Sequence, residues 1–331
     1  MKRQAQAQLA LSTSEGTPLP LPTHVVEDAV AEGNVLELPL FRLSQHPGKA
    51  PADPQTALNR LIHVYRLDGR TDQDAQLKNE RRIEITANQR WGFPTMLGLR
   101  ILVAVMERSQ QMGFSSPKIP ISRWELCDLL NLDKCGKSYT LLNHQIAAMK
   151  ALTIICHNCW HRKGAPKASS DKQQSISLIA DFAFEQEGGA QPSSQTQLAF
   201  GTPQHITLGD AIYQSLSAGY RLGIDRSYLN DLARFDNAAA VRLYAYLSKK
   251  DTREMYTENI IKLASKLPHS DLRPTKIKKT LEPALRRLTD PLPHSGKRFL
   301  ESFVFEGTGS DTRLVVRYFS PDGAPRRLKA L

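Results

Sequence analysis

The chain has 331 residues, of which 40% are hydrophobic and 23% are charged, a composition that predicts about two soluble folded domains. Its 44 Lys and Arg residues exceed its 33 Asp and Glu residues, giving a formal net charge of +11. That charge favours a polyanionic partner, although a merely soluble basic protein would also have it. No apolar run is long enough to span a membrane, and no signal sequence follows the basic start Met1-Lys2-Arg3. With only four cysteines as well, we expect a cytoplasmic protein with reduced thiols, no membrane partner and no cofactor.

The first half of the chain predicts a tail, two strands and three helices. Residues 1–34 are rich in Gln, Ala, Ser, Thr and Pro, which predicts a flexible tail. Alternating apolar and polar residues predict strands at 60–67 and 81–87. Apolar residues at helical spacing then predict three helices, which begin near Pro94, at Ser122 in a capping box with Glu125, and at Ser138.

A β-hairpin is predicted to close this first half. Its strands are residues 153–161 and 175–184, and four cations lie in the loop between them: Arg162, Lys163, Lys167 and Lys172. Three helices followed by a basic hairpin are the element order of a winged helix-turn-helix. Residues 185–204 then predict a linker or a long loop.

The second half repeats this order. Helices are predicted at 237–250, at 258–267 with Thr257 as the cap, and from Pro274 to 288, where Pro283 should kink or split the helix. A hairpin of 297–306 and 312–319 follows. The sequence therefore predicts an α+β fold of two tandem winged helix-turn-helix domains, residues 35–204 and 205–331, behind the tail 1–34.

The strongest candidate site is the helix that begins at Pro274. Between residues 249 and 317 there are 15 Lys or Arg and 9 Asp or Glu, and many of the cations lie on or beside this helix. A cationic face opposite an apolar one suits the DNA major groove, although a solvated basic face would have the same pattern. We expect base contacts from the first four residues and phosphate or flanking contacts from the others: Arg273, Thr275, Lys276, Lys279, then Lys278, Arg286, Arg287, Lys297 and Arg298.

The third helix of the first half is a weaker candidate for DNA binding. Its outward polar residues can pair with base edges, and they are joined by two loop cations: Lys137, Ser138, Thr140, Asn143, His144, Arg162 and Lys163. An ordinary solvated helix, or one that contacts another protein, explains the same residues.

No pattern predicts catalysis or a metal site. Gly136-Lys137-Ser138 matches the end of a phosphate-binding loop, but Asn131 stands where its first glycine belongs and a helix precedes it instead of a strand. Cys156 and Cys159 form half of a zinc pattern, for which two buried free thiols are the plainer interpretation. The nine histidines contain no His-x-His pair. We therefore expect a binding protein rather than an enzyme.

Four motifs give the chain a resemblance to the replication initiator protein A family of bacterial plasmids. They are Trp91-Gly92-Phe93-Pro94-Thr95, Leu99-Arg100-Ile101-Leu102, Tyr220-Arg221-Leu222-Gly223-Ile224-Asp225 and Ala240-Val241-Arg242-Leu243-Tyr244-Ala245-Tyr246-Leu247, and the resemblance runs from about residue 35 to 320. It implies an initiator that binds double-stranded DNA repeats or an operator at a plasmid origin. It also implies recruitment of the host initiator and the replicative helicase, and self-repression as a homodimer.

Two other functions stay open on sequence alone. A winged-helix transcriptional repressor would have the same fold and the same cationic helix. A nucleotide-dependent or metal-dependent enzyme is the more remote alternative, because the required motifs are incomplete.

Overall fold

The computed structural model describes residues 28–43, 62–67, 81–161, 173–184, 204–250, 254–267 and 272–320. The elements before the middle of the chain are β1 (Asp28–Glu32), α1 (Gly33–Glu37), β2 (Ile62–Arg66), β3 (Arg82–Thr86), α2 (Met96–Gln111), β4 (Lys118–Pro120), α3 (Arg123–Leu130), α4 (Gly136–Lys150), β5 (Thr153–His157), β6 (Gln173–Ile176) and β7 (Ile179–Ala183). Those that follow are β8 (His205–Leu208), α5 (Asp210–Ser217), β9 (Arg221–Asp225), α6 (Arg226–Ala233), α7 (Ala238–Ser248), β10 (Met255–Asn259), α8 (Ile260–Lys266), α9 (Pro274–Thr289), β11 (Leu300–Glu306) and β12 (Arg313–Tyr318).

Two segments share one order of helices and strands. The first unit consists of α2, β4, α3, α4, β7 and β8, and its strands form an antiparallel sheet in the order β4-β8-β7. The second unit consists of α7, β10, α8, α9, β11 and β12, with the sheet order β10-β12-β11. In both units the last strand is central. Helices lie apart from antiparallel sheets, which agrees with the predicted α+β class.

The hairpin predicted to close the first half is confirmed in part, because β5 pairs antiparallel with β6, but neither strand joins the sheet of the first unit. β5 pairs with β3 and β6 in a separate four-stranded sheet of order β2-β3-β5-β6. The run predicted as one strand, 175–184, is divided between two sheets, because the ladder of β6 ends at Ile176 and β7 begins at Ile179. β7 pairs instead with β8, and residues 185–203 between them lie outside the described residues.

Two predicted domain limits separate a strand from the strands with which it pairs. β8 begins at His205, the first residue of the predicted second domain, yet it pairs with β4 and β7 of the first unit. β1 belongs to the predicted tail, yet it is paired with β9 along its whole length. The tail prediction is therefore wrong for residues 28–34, whose buried small apolar residues, such as Ala29 and Ala31, were hidden by the polar composition before them.

Two details of helix ends differ from expectation and one agrees. The capping box of Ser122 and Glu125 is confirmed at the start of α3. In the second unit Thr257 lies in β10, and Asn259 caps α8 by accepting hydrogen bonds from the first turn. Pro283 does not split α9, which runs unbroken from Pro274 to Thr289 with its apolar side, including Ala284 and Leu285, buried.

A pair of arginines marks the relation between the units. Arg100 of α2 donates a hydrogen bond to the carbonyl of Leu130, the last residue of α3. Arg242 of α7 donates one to the carbonyl of Lys266, the last residue of α8, at 2.9 Å. Each guanidinium satisfies a carbonyl that the helix end leaves without an intrahelical partner. Arg100 and Arg242, in the similar segments Leu99-Arg100 and Val241-Arg242, therefore make one shared interaction.

The described helices differ from membrane-spanning helices. None of them combines the length and the apolar character that crossing a bilayer demands.

The carboxyl group of Glu32 is wholly buried at the start of α1. It accepts hydrogen bonds from the Val35 backbone at 2.9 Å and from the side chains of Asn34 and Ser215, each at 2.7 Å. Burial raises the pKa of Glu32 to about 7, although these hydrogen bonds and the charge of Lys249 act to lower it.

This raised pKa predicts a pH dependence of stability. The folded protein holds the proton of Glu32 more tightly than the unfolded chain, so the stabilisation is complete below pH 4.5 and is lost as the pH rises through about 7. Glu32→Gln should remove this decline, measured as the free energy of unfolding in urea across that pH window. The exposed Glu301→Gln is the control. A wild-type decline that survives in Glu32→Gln would contradict the assignment.

Candidate nucleic-acid interface

The two faces of α9 have opposite character. Pro274 occupies its first position, where a missing N–H costs nothing, and Arg273 precedes it in an extended conformation. Residues at helical spacing are buried against α7, α8 and β11, namely Ile277, Leu281, Ala284, Leu285 and Leu288. Because this apolar seam fixes the rotation of α9 about its axis, the polar residues between these positions must face solvent.

Three residues at the start of α9 form the open part of the cationic face. Thr275, Lys276 and Lys279 are exposed. Within the described residues, no carboxylate lies within ion-pair distance of Lys276 or Lys279. Arg273, immediately before the helix, is exposed as well. The residues predicted to lie nearest the bases are therefore together on one accessible surface.

The other cations of α9 make contacts within the protein. Lys278 is half-buried, with its ammonium group 5.5 Å from the centre of the Phe305 ring. The guanidinium of Arg286 lies 2.7 Å from the carboxylate of Glu282, in an exposed pair one turn apart. Arg287 is placed over the ring of Phe235 at 4.1 Å. These three residues are less available to a partner than Lys276 and Lys279.

The two predicted site residues before β11 are also engaged. The ammonium group of Lys297 lies 2.7 Å from the Asp225 carboxylate and 3.2 Å from the Ser227 hydroxyl. Burial alone would raise the pKa of Asp225, but the hydrogen bonds from Lys297 and Ser227 hold it below its usual value. Arg298 lies over the ring of Phe319 at 5.3 Å. Lys297 in particular stabilises the start of α6 within the protein.

The matching helix of the first unit, α4, has a less charged outer face. Lys137 and Thr140 are exposed, but the Thr140 hydroxyl donates a hydrogen bond to the carbonyl of Gly136 at 2.9 Å. Leu141, on the same side, is 44% exposed. The Ser138 hydroxyl lies 3.6 Å from the thiol of Cys135, at the helix start.

Two further predicted residues of α4 face neighbouring groups. The side-chain carbonyl oxygen of Asn143 is buried and has no hydrogen-bond partner among the described residues, so it does not present its full amide to a base. His144 packs against the edge of Trp91 at 5.6 Å. Arg162 and Lys163 lie outside the described residues, so their predicted DNA contact stays a prediction.

Sequence reasoning missed two tryptophans that lie beside cations in the first half of the chain. Trp124 is 52% exposed, and the ammonium group of Lys134 lies 3.2 Å from the centre of its ring. Arg90 stacks over Trp91 at 4.7 Å, beside His144. Arg90 adjoins Trp91 in the sequence, but Lys134 is ten residues from Trp124, so only the fold shows that second pair.

The remaining motifs keep their plain interpretation in the fold. Gly136-Lys137-Ser138 forms the first turn of α4 and follows helix α3, not the strand that a phosphate-binding loop requires. Cys156 and Cys159 are buried free thiols on either side of a turn at Asn158, whose φ is 53°. Among the described residues, no three His, Cys, Asp or Glu side chains are grouped to hold a metal ion.

Comparison with solved structures shows a shared fold. The crystal structure of domains 2 and 3 of RctB, as a selenomethionine derivative, matches with a TM-score of 0.50 and 13% identity, covering 86% of this chain and 98% of that one. A second structure of RctB domains 2 and 3 has a TM-score of 0.42 and 14% identity, covering 73% and 88%. No family model and no curated protein matches the chain.

The two faces of α9 should respond differently to truncation. Leu281→Ala should lower the free energy of unfolding by about 2–5 kcal/mol, because it opens a cavity under a buried seam. Lys279→Ala, on the exposed face, should change it by no more than about 0.5 kcal/mol. Urea denaturation followed by circular dichroism measures both. Equal effects would show that the seam is assigned to the wrong side of the helix.

Proposed function

We propose that this protein is a replication initiator that binds double-stranded DNA at a plasmid origin through two winged helix-turn-helix domains. The support for the domains is the order of elements, since helix, strand, two helices and two strands occur twice with the same strand order. In such domains the second helix of the helix-turn-helix enters the major groove. That helix is α4 in the first unit and α9 in the second.

One observation carries the DNA-binding proposal. Lys276 and Lys279 stand exposed near the amino end of α9, on the face opposite its buried seam. The amino-terminal part of such a helix reaches the base edges, and its flanks approach the phosphates. Arg273 and Thr275, at the same end, extend the surface toward the groove. The protein then acts by binding and not by catalysis.

The initiator role rests on the plasmid-family resemblance of the sequence. By that resemblance the partners are the origin duplex, the host initiator and the replicative helicase, with a homodimer that represses the protein's own gene. The chain shares the fold of domains 2 and 3 of RctB. That likeness supports the architecture, and the initiator role rests on the sequence resemblance.

The DNA contact is tested by the double substitution Lys276→Ala with Lys279→Ala. Affinity for a duplex taken from the DNA that flanks the gene should fall at least about tenfold, and affinity for an unrelated duplex should fall less, because both lysines are placed at the base edges. Fluorescence anisotropy measures both affinities. The melting temperature should not change, because both side chains are exposed.

The matched control is Lys297→Ala, which removes a cation already bound to Asp225. It should lower stability more than it lowers duplex affinity. Full duplex binding by the Lys276 and Lys279 variant would refute the assignment of α9 as the DNA-contacting helix.

Initiation is tested separately from binding. A plasmid that carries the gene and its flanking DNA should fail to replicate when the same two lysines are replaced. Continued replication at an altered copy number would instead indicate a repressor.

A further inference from the structure

The segment that precedes the two units is buried between them. Every residue from 29 to 41 is buried, including Glu32 and Glu37, although the sequence before it predicts a tail. A charged segment of this kind is not expected in an interior unless its polar groups are paired. We name residues 28–41 the strap, and its pairings decide what it does.

On one side the strap contacts the first unit and its adjoining sheet. The backbone N–H of Glu32 donates to the sulfur of Met106 in α2 at 3.3 Å. The side chain of Asn34 donates to the carbonyl of His161 at 2.8 Å and accepts from its backbone N–H at 2.9 Å. At the end of the strap, the next residue, Arg42, donates its N–H to the carbonyl of Pro94 at 2.8 Å.

On the other side the strap contacts the second unit. The guanidinium of Arg242 donates to the carbonyls of three consecutive strap residues, at 2.6, 2.9 and 2.9 Å, and these are Leu36, Glu37 and Leu38. The carboxylate of Glu37 accepts hydrogen bonds from Lys249, after α7, and from Lys266, the last at 3.2 Å. β1 adds the antiparallel pairing with β9.

The contacts of Arg242 and of Glu37 meet at one residue, Lys266, at the carboxyl end of α8. Lys266 is the last residue of that helix. Its side chain binds Glu37, while its carbonyl accepts from Arg242. The two contacts fix both the backbone and the side chain of the last residue of α8, a helix that packs against the proposed DNA-contacting helix α9. Each of them also fixes the strap.

The ion pairs of Glu37 with Lys249 and Lys266 are buried, so they hold the strap firmly against the second unit. The side chains of Glu37 and Lys266 are 9% and 5% exposed, so their attraction is little screened by water. Burial alone would raise the pKa of Glu37, but the charges of Lys249 and Lys250 lower it well below its usual range. The carboxylate is thus ionised at neutral pH, and removing it would leave buried ammonium groups uncompensated.

We propose that Glu37 is a positioning residue that, through the strap, fixes the orientation of α9 relative to the first unit, so that both units engage one duplex together. The inference deepens the proposed function and rests on it. When the two units are held in a fixed relative orientation, the first contact with DNA places the second unit at a high effective concentration near the same duplex. The second contact then adds affinity with little further loss of entropy. A released strap would leave each unit to bind separately.

The test compares two duplexes of one arbitrary sequence with full-length protein. One has about 30 base pairs, enough for two units a helical turn apart, and the other about 12 base pairs, enough for one unit. In Glu37→Gln the preference for the longer duplex should fall at least about tenfold, because the linked second contact is lost. Affinity for the shorter duplex should stay within about twofold, because Lys276 and Lys279 are untouched.

Lys266→Gln is a second, milder variant, since Glu37 keeps its contact with Lys249. It should lose the long-duplex preference in the same direction. Asp181→Asn is the matched control, because it removes an exposed carboxylate that pairs with Lys150 within the first unit. Measurements well below the melting temperature of each variant separate positioning from unfolding.

Hydrogen exchange without DNA gives an independent readout. Glu37→Gln should speed exchange of the Gly33 and Leu38 amides and of β9, but not of the amides inside α2. An unchanged preference for the long duplex, with or without faster exchange, overturns the positioning role. If the wild-type protein binds neither duplex at low salt, the DNA-binding function fails instead. In that case, unchanged hydrogen exchange of the Gly33, Leu38 and β9 amides in Glu37→Gln would also show that Glu37 does not hold the strap in place.

Discussion

The structure depends on how the terminal nitrogens of the buried Arg242 guanidinium are paired; its Nε has no partner among the described residues. Its guanidinium has no exposed surface, and burial lowers its pKa to about 10, so it remains charged at neutral pH. Removing such a charge from water costs several kcal/mol unless its donors are paired. Its partners are three strap carbonyls and the carbonyl of Lys266, and Leu36 is 206 positions away in the chain. The second unit therefore cannot bury this residue properly unless the strap is already in place.

In the first unit Arg100 has a similar arrangement of hydrogen bonds, although its side chain is less buried than that of Arg242. It donates to the carbonyl of Leu130 and to the side chain of Asn230 in α6, and its pKa is likewise lowered to about 10, first by burial and then by Arg234. In both units the arginine ties the end of the second helix to the first. The partners beyond that helix differ, because one arginine faces the strap and the other faces α6. A repeated scaffold interaction has thus been joined to two different elements that connect the units.

Local patterns in the sequence predict local structure well. The spacing of Ile277, Leu281 and Leu288 identifies α9 and its buried side, and Ser122 with Glu125 marks the start of α3. These features depend on residues three or four positions apart. The repeat was also visible, because Arg100 and Arg242 stand in similar apolar surroundings.

Features that depend on distant partners were not predictable in the same way. The run 175–184 has the pattern of one strand, yet its two parts pair with strands of two different sheets. Residues 28–34 of the strap follow a polar, Pro-rich stretch and were predicted as part of the tail, because their pairing partners lie far away in the chain. The cations of α9 are alike in sequence, but Lys278 and Arg287 lie over rings from other elements. Which of them stays available is decided by tertiary packing.

The unequal charge of α4 and α9 gives the strap a physical purpose under the proposed function. A helix with exposed lysines attracts DNA by itself, whereas α4 presents Leu141 and short polar groups beside Lys137 and gains little on its own. A weak contact still contributes when the partner is already held nearby, because its effective concentration is then high. That advantage exists only if the second unit cannot rotate freely with respect to the first. The buried contacts of Glu37 and Arg242 supply this constraint, so the weaker unit can take part in recognition without a strong cationic helix.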